Sequence, residues 1–219
     1  MWVAIYHSTV FFTPSSNKTC GDQPVLSATF PSNLHYATHS IPLIFNHEGV
    51  IDPGQVSGLH TSNLDIFATL MEYLDLDHPN RQDDNNPSRS LAGLLTGKQT
   101  TDWGEDEVYS EQEETRSLRT PQWVYFRRFS GHPSEMFSDA LYSVENDPGE
   151  EHNLIDDPDH QQVASQLASK IDQFFERHAA RHADLWQGGR PIQNSVRAGF
   201  WAESWGDDWR PVYRYEDDG

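Results

Sequence analysis

The sequence predicts an α/β fold in which a small antiparallel sheet is crossed on one face by a long helix near the C-terminus. Three stretches carry that prediction. Ser138–Leu154 (SDALYSVENDPGEEHNL) joins a strand-like run at Leu141 and Tyr142 to a turn at Asn146-Asp147-Pro148-Gly149, after which Glu150 and Glu151 begin a charged exit. Asp157-Pro158 then supplies an N-cap and a proline at the first helical position, where the missing N–H costs nothing. Finally, Val163, Leu167, Ile171, Phe174 and His178 recur at spacings of four and three, with Phe175 widening the stripe, so one helix face must be buried.

The remaining elements follow in chain order. Val3 to Phe12 mixes β-branched and aromatic residues as a buried strand does, and Pro14-Ser15-Ser16-Asn17 ends it. Ser27 to Ser40 reads as a loop pinned by Phe30 and Tyr36. Ile41 to Phe45 (IPLIF) is a second short strand, with Pro42 favouring an early or edge position, and Asp52-Pro53-Gly54 closes the excursion after it. Ser62 and Asp65 form an acidic variant of the capping box ahead of a helix whose apolar stripe is Leu64, Phe67, Leu70, Met71 and Leu74. Such a helix is built to pack. Asp77 to Ser90 is too polar to fold alone and reads as a surface loop. Leu91, Leu94 and Leu95 anchor a short helix or turn ended by Gly97, and Val108–Ser110, Trp123–Phe129 and Ala140–Tyr142 supply the strands of the small sheet. After His182 no clean period remains. Trp186, Trp201, Trp205 and Trp209 nonetheless argue against disorder, since exposing that much aromatic surface is costly at about 25 cal/mol per Å². The tail is expected to wrap over the body or over a partner.

The 34 acidic against 15 basic side chains give a formal charge of −19, a field that repels nucleic-acid phosphates and anionic lipid; neither is expected as a partner. The single cysteine, Cys20, cannot close an internal disulfide. The opening MWVAIYHSTVFF has no basic n-region or small-residue cleavage site, so it reads as a strand and not a signal peptide, and no run is long enough to cross a bilayer. Asn17-Lys18-Thr19 is a glycosylation sequon that matters only in a secreted protein.

Taken together, six stretches resemble the C-terminal part of a sulfatase of the alkaline-phosphatase-like superfamily: IPLIF at 41–45, PGQV at 53–56, HTSNLDIFATLMEYLDL at 60–76, SRSLAGLL at 88–95, VYF at 124–126 and LYSVENDPGEEHNL at 141–154. Their order and spacing follow the family over roughly Val10 to His178. The resemblance implies a remnant of the alkaline-phosphatase-like sheet over residues 1–80, a C-terminal subdomain over 81–182 with its small antiparallel sheet packed by the helix, and an aromatic-rich tail over 183–219. It also implies that a complete member carries an upstream half with a Cys/Ser-x-Pro-x-Arg segment, whose first residue becomes formylglycine, and the first aspartates that hold a divalent metal, usually calcium.

Measured against that family pattern, the chemistry is missing. Cys20 lies in Cys-Gly-Asp-Gln-Pro, without the proline two positions on or the arginine four positions on. Where the family has Thr-Ser-Asp-His/Asn-Gly after a strand, Val10-Phe11-Phe12-Thr13 leads into Pro14-Ser15-Ser16-Asn17, and neutral serine hydroxyls are weak ligands for a hard cation. The expected sulfate-contacting lysine is replaced by Leu26-Ser27-Ala28 ahead of Thr29-Phe30-Pro31. The sequence therefore offers no catalytic, cofactor-binding or metal-ligating residue; calcium and formylglycine are implied only for a complete member.

Each remaining cluster has a plainer reading beside the functional one. His35, His39 and His47 sit near the family's substrate-facing loop, where a complete enzyme could use them on substrate, but they read first as ordinary loop histidines, and His60 opens a packing helix. Asp75, Asp77, His78, Asp83 and Asp84 have no EF-hand spacing and read as a solvated loop, as do Glu111, Glu113 and Glu114. Asp147 and Glu150 suit a turn and a helix approach better than paired acid–base work. Arg190, Arg197, Arg210 and Arg214 among the tail's aromatics would recognise a sulfated saccharide or pack the tail on its own body. Three readings follow: a sulfatase-like protein truncated and inactive alone, a subunit completed by an upstream polypeptide, or a binding module for sulfated glycans. In the first, unpaired strand edges and one uncovered helix face predict self-association.

Overall fold

The computed structural model describes residues 3–8, 35, 41–77, 85–98, 105–131, 138–190 and 198–212. The expectations placed on residues 9–34 (Cys20, the 10–17 metal-segment match and the 26–31 match among them), Tyr36, His39, His78, Asp83, Asp84, Arg197 and Arg214 lie outside them.

Two sheets organise the described chain. In the first, β1 (Val3–Ser8) is central, antiparallel to β2 (Ile41–Phe45) and parallel to β3 (Val56–Ser57), with Val3 opposite Phe45 and Ala4 opposite Val56. Pro42 sits on β2 at an edge of this sheet, where a missing ladder donor does least harm. Helix α1 (Leu64–Tyr73) and the single turn α2 (Ala92–Leu95) follow, and Ile51, Leu91 and Leu95 form a core with Leu43, Phe45 and Tyr73.

The second sheet is a meander, β4 (Val108–Gln112), β5 (Thr115–Arg119), β6 (Trp123–Arg128) and β7 (Ala140–Ser143), all antiparallel in that order. Asp157 caps a 3-10 turn at Pro158–His160 through the Asp159 N–H at 3.0 Å, and helix α3 (Gln161–His178) begins one turn after the proline. Ala164, Leu167 and Ile171 pack on Leu118, Tyr125 and Leu141, while Phe174 stacks on Tyr109 at 3.9 Å. This is the α/β arrangement the spacing predicts. The chain leaving β7 protects the sheet edge: Leu154 donates to the Leu141 carbonyl at 2.8 Å and the Leu141 N–H donates to Asn153 Oδ1 at 2.9 Å.

Beyond residue 183 the chain forms a small core of its own. Leu185, Trp201 and Trp209 are buried, with Phe129, Trp186 and helix α4 (Ala198–Trp205) around them. Trp186 and Trp201 donate their indole N–H groups to the Glu113 carbonyl and carboxylate at 2.8 and 2.9 Å. No helix among the described residues is long and apolar enough to cross a membrane.

Three expectations are corrected. The apolar stripe of α1 is only partly covered: Asp65 and Thr69 are the fully buried positions, Phe67, Met71 and Tyr73 are half-buried, and Leu64, Leu70 and Leu74 are 47%, 39% and 55% exposed. Glu113 and Glu114 do not face water, since Glu113 receives two tryptophans and Glu114 is buried beside β5. Glu150 is not part of a charged exit but is buried, 6% exposed, at a left-handed φ of 55°.

Candidate functional site

The polar residues singled out by the sequence are brought together as tethers. Glu150 is the most connected of them. The tight turn from Asp147, whose carboxylate accepts the Glu151 and His152 N–H groups at 2.9 and 2.8 Å, swings its side chain under the sheet. There one carboxylate oxygen accepts His35 Nδ1 at 2.8 Å and the other accepts Arg119 from β5. The His35 ring meets Phe126 and Tyr142 edge-on at 4.9 and 5.5 Å, so the sheet face away from α3 is closed at this point by a histidine. Burial alone would raise the Glu150 pKa, but the His35 hydrogen bond and the Arg119 charge hold it below the ordinary carboxylate value.

A second tether gathers around α1. The Asp65 carboxylate accepts the Ser62 N–H at 2.8 Å, which is the reciprocal half of a capping box, and also the Arg89 N–H at 2.7 Å. The Arg89 guanidinium adds bonds to Asp65 at 3.3 Å and to the His60 carbonyl at 3.1 Å. His60 is held by Asp106, which accepts its N–H at 2.7 Å and pairs with its Nδ1 at 2.9 Å. Ser62, Asp65 and Arg89 of this cluster, with Leu64, line a cleft of about 230 Å³ that Tyr109, Phe174 and His178 also line. Burial and Glu107 push the Tyr109 hydroxyl pKa up, so it stays a donor, at 2.8 Å to Glu107.

The third tether holds the tail. Arg116 donates Nε to Glu111 and Nη2 to Asp184, each at 2.6 Å, and its guanidinium lies 4.1 Å from the Phe175 ring and 4.4 Å from Trp186. Asp184 also accepts the Trp186 N–H at 2.9 Å, and a cleft of about 670 Å³ opens beside this group. The cation stacked on tail aromatics is thus Arg116 of the sheet. The flagged Arg190 and Arg210 donate to tail carbonyls, of Asp208, and of Asp207 and Trp209.

His47 bonds the Tyr73 hydroxyl at 2.7 Å, and Asp75 and Asp77 are exposed past the end of α1. Among the described residues no group of three or more His, Cys, Asp or Glu side chains is placed to hold a metal ion. The described carboxylates do not fit a calcium cradle. Asp65, Glu150 and Asp184 already bind arginines, which supply the positive charge a cation would bring. Arg89, Arg116, Arg119 and Asp106 carry these tethers without any sequence signal, because their partners lie 24, 68, 31 and 46 positions away.

Comparison with known proteins agrees with this arrangement. The family profile of the N-sulphoglucosamine sulphohydrolase C-terminal region matches residues 33–177. An ulvan-active sulfatase of Formosa agariphila is 25% identical over 159 residues, covering 58% of this chain and 31% of that protein. A solved structure of a candidate sulfatase from Bacteroides thetaiotaomicron superposes with a TM-score of 0.53 at 25% identity, over 67% of this chain and 32% of its own. A phosphonate monoester hydrolase from Silicibacter pomeroyi shares the fold with a TM-score of 0.53 at 20% identity, over 67% of this chain and 31% of its own. The chain spans about a third of the length of these relatives. Matched over well more than half of its length, it belongs to the family of N-sulphoglucosamine sulphohydrolase C-terminal regions, within the alkaline-phosphatase-like superfamily.

Proposed function

We propose that this chain is a sulfatase-like protein, the non-catalytic C-terminal portion of a sulfuric-ester hydrolase, without turnover of its own. The observation that carries the reading is the fate of its acidic and imidazole groups. Glu150, Asp65, Asp184, His35 and His60 are each bound to a partner that fixes one segment of this chain to another. The sequence differences at Cys20, Ser15-Ser16 and Leu26-Ser27-Ala28 support it. With it goes a proposed division into a sheet remnant at 1–80, a subdomain at 81–182 and a tail at 183–219. Calcium and formylglycine would belong to the portion of a family member that has no counterpart here. The test is an assay of the purified chain with an aryl sulfate and calcium. No release above the protein-free rate is expected, and protein-dependent turnover would overturn the reading.

A second reading, a subunit completed by a polypeptide carrying the upstream portion, is favoured by one observation, the exposure of Leu64, Leu70 and Leu74 on α1. Recognition of a sulfated glycan through the tail gains less support, since Arg190 and Arg210 donate to backbone carbonyls of the tail.

A further inference from the structure

The joint between the meander and the segment beyond residue 183 carries more acid than base. Glu111 of β4 and Arg116 of β5 stand directly opposite each other in the ladder, and Glu111 accepts Arg116 Nε at 2.6 Å. Asp184 then brings a second carboxylate to the same guanidinium, at Nη2 and also at 2.6 Å. The Arg116 and Asp184 side chains are 6% and 5% exposed, and that of Glu111 is 30% exposed. Two carboxylates thus share one cation largely away from water, where like charges repel most strongly. The charged groups around them do not restore the balance. On α3, Asp172 and Glu176 line the same cleft as Arg116 and Asp184. Arg127, opposite Arg116 on β6, is already paired with Asp139 at 3.3 Å and Asp172 at 3.5 Å. Arg181 lines the cleft as an exposed side chain, and His182 is exposed two positions ahead of Asp184.

We propose that the segment from Asp184 onward is a strap whose seat on β4 and β5 tightens when Glu111 takes up a proton and loosens when Glu111 ionises. Beside the Arg116 pair, the strap is fastened by Trp186 and Trp201, whose indole N–H groups reach the Glu113 carbonyl and carboxylate at 2.8 and 2.9 Å. Burial pushes the Glu111 carboxyl above its ordinary pKa; Arg116 pulls the other way, and Asp184 adds to the rise. Lifting the strap takes Asp184 away and returns water to Glu111, while Arg116 stays across the ladder. The proton is therefore held more tightly with the strap seated than with it lifted. A state that binds a proton more tightly gains population as pH falls through its own pKa, so mild acidification closes the strap. Protonated Glu111 keeps a carbonyl oxygen to accept Arg116 Nε. Seating also completes the cleft of about 670 Å³, which is lined by Asp172, Phe175 and Glu176 from α3 and by Asp184, Trp186 and Gln187 from the strap. The inference does not depend on the reading of the chain as a non-catalytic portion, since the strap begins past the matched residues 33–177.

The experiment follows hydrogen exchange of the Trp186, Gln187 and Gly189 amides, whose N–H groups bond to Asp184, in the full chain between about pH 8 and about pH 5, corrected for intrinsic exchange. Protection at these amides is expected to rise several-fold toward the acid end, while the amides of β6 stay constant. Glu111→Gln mimics the protonated carboxyl and should show the acid-end protection at every pH. Asp184→Asn leaves Glu111 alone with Arg116 and should also remove the pH dependence. Protection in the native chain that is flat, or that falls toward the acid end, would overturn the proposal. A pH dependence kept by Glu111→Gln would belong to His182 or another group and would overturn it equally. A Glu111→Gln chain that does not fold would show that the joint needs the ionised carboxylate, and that result too stands against the strap.

Discussion

Glu150 and His35, 115 positions apart, meet at 2.8 Å beneath the second sheet, and Arg119 holds the other oxygen of the same carboxylate. This one side chain joins the connection before β2, the centre of the meander and the turn after β7. Its left-handed backbone is a conformation that costs a non-glycine residue about 1 to 3 kcal/mol, and the three-way contact offsets that strain.

Removing the carboxylate should therefore be expensive. Glu150→Ala removes the carboxylate that half-buried Arg119 and His35 share, and a loss of about 1.5 to 3 kcal/mol is expected, read as a shift in the urea midpoint at constant slope. A loss below about 1 kcal/mol, the scale of an exposed pair, would show that the clamp contributes little.

The same group sets a pH dependence. Its folded-state pKa is held below the ordinary carboxylate value, so the stabilisation is fully present above the unfolded-state value and is lost as pH falls through the folded-state value. Stability of the native chain should decline on acidification below about pH 4.3, the unperturbed glutamate value. Glu150→Gln should flatten that decline, and identical acid titrations of the two proteins would argue against the assignment.

Arg116 should not tolerate lysine. A point charge cannot span Glu111 and Asp184 while lying flat between Phe175 and Trp186. Arg116→Lys is expected to cost about 2 kcal/mol and to red-shift the tryptophan emission as Trp186 loosens. Unchanged emission would place the tail's attachment elsewhere.

Two glycines near the tail make a matched pair. A Cβ at Gly189 would stand 2.5 Å from the Asp184 nitrogen, backbone that cannot step aside, whereas one at Gly199 in α4 meets nothing within 4 Å. Gly189→Ala should destabilise by about 3 kcal/mol, as overpacking does, and Gly199→Ala should stabilise by about 0.5 to 1 kcal/mol through helix propensity. Thermal melts of the two variants moving in the same direction would contradict this account.

The elements that could be read from the sequence are those whose pattern and environment agree. The stripe Val163, Leu167, Ile171 predicts both the existence of α3 and its buried side, because a complete apolar face of the meander lies in the same chain. The stripe on α1 has equal periodicity yet leaves Leu64, Leu70 and Leu74 exposed and only half buries Phe67 and Met71; periodicity reports that a face exists, not which surface meets it. Strand β5 was not legible at all. Thr115-Arg116-Ser117-Leu118-Arg119 has one apolar residue, and its polar members are buried only because Asp184, Arg128, Glu111 and Glu150 come to them from elsewhere. The two neighbouring glutamates make the same point about the candidate site. Glu150 and Glu151 are the same residue in the same run, and the Asp147 turn, together with a backbone angle invisible in the sequence, buries the first and exposes the second.

The distance along the chain between His35 and Glu150 imposes a schedule on synthesis. At about 5 to 20 residues per second on a ribosome, the 115 positions between them take about 6 to 23 s to be made. For that interval the early strands exist without their anchor, while β4 to α3, built from neighbours in sequence, can assemble as soon as it emerges. The segment that His35 anchors is thus left unsecured over that interval, which is when a chaperone has most to do.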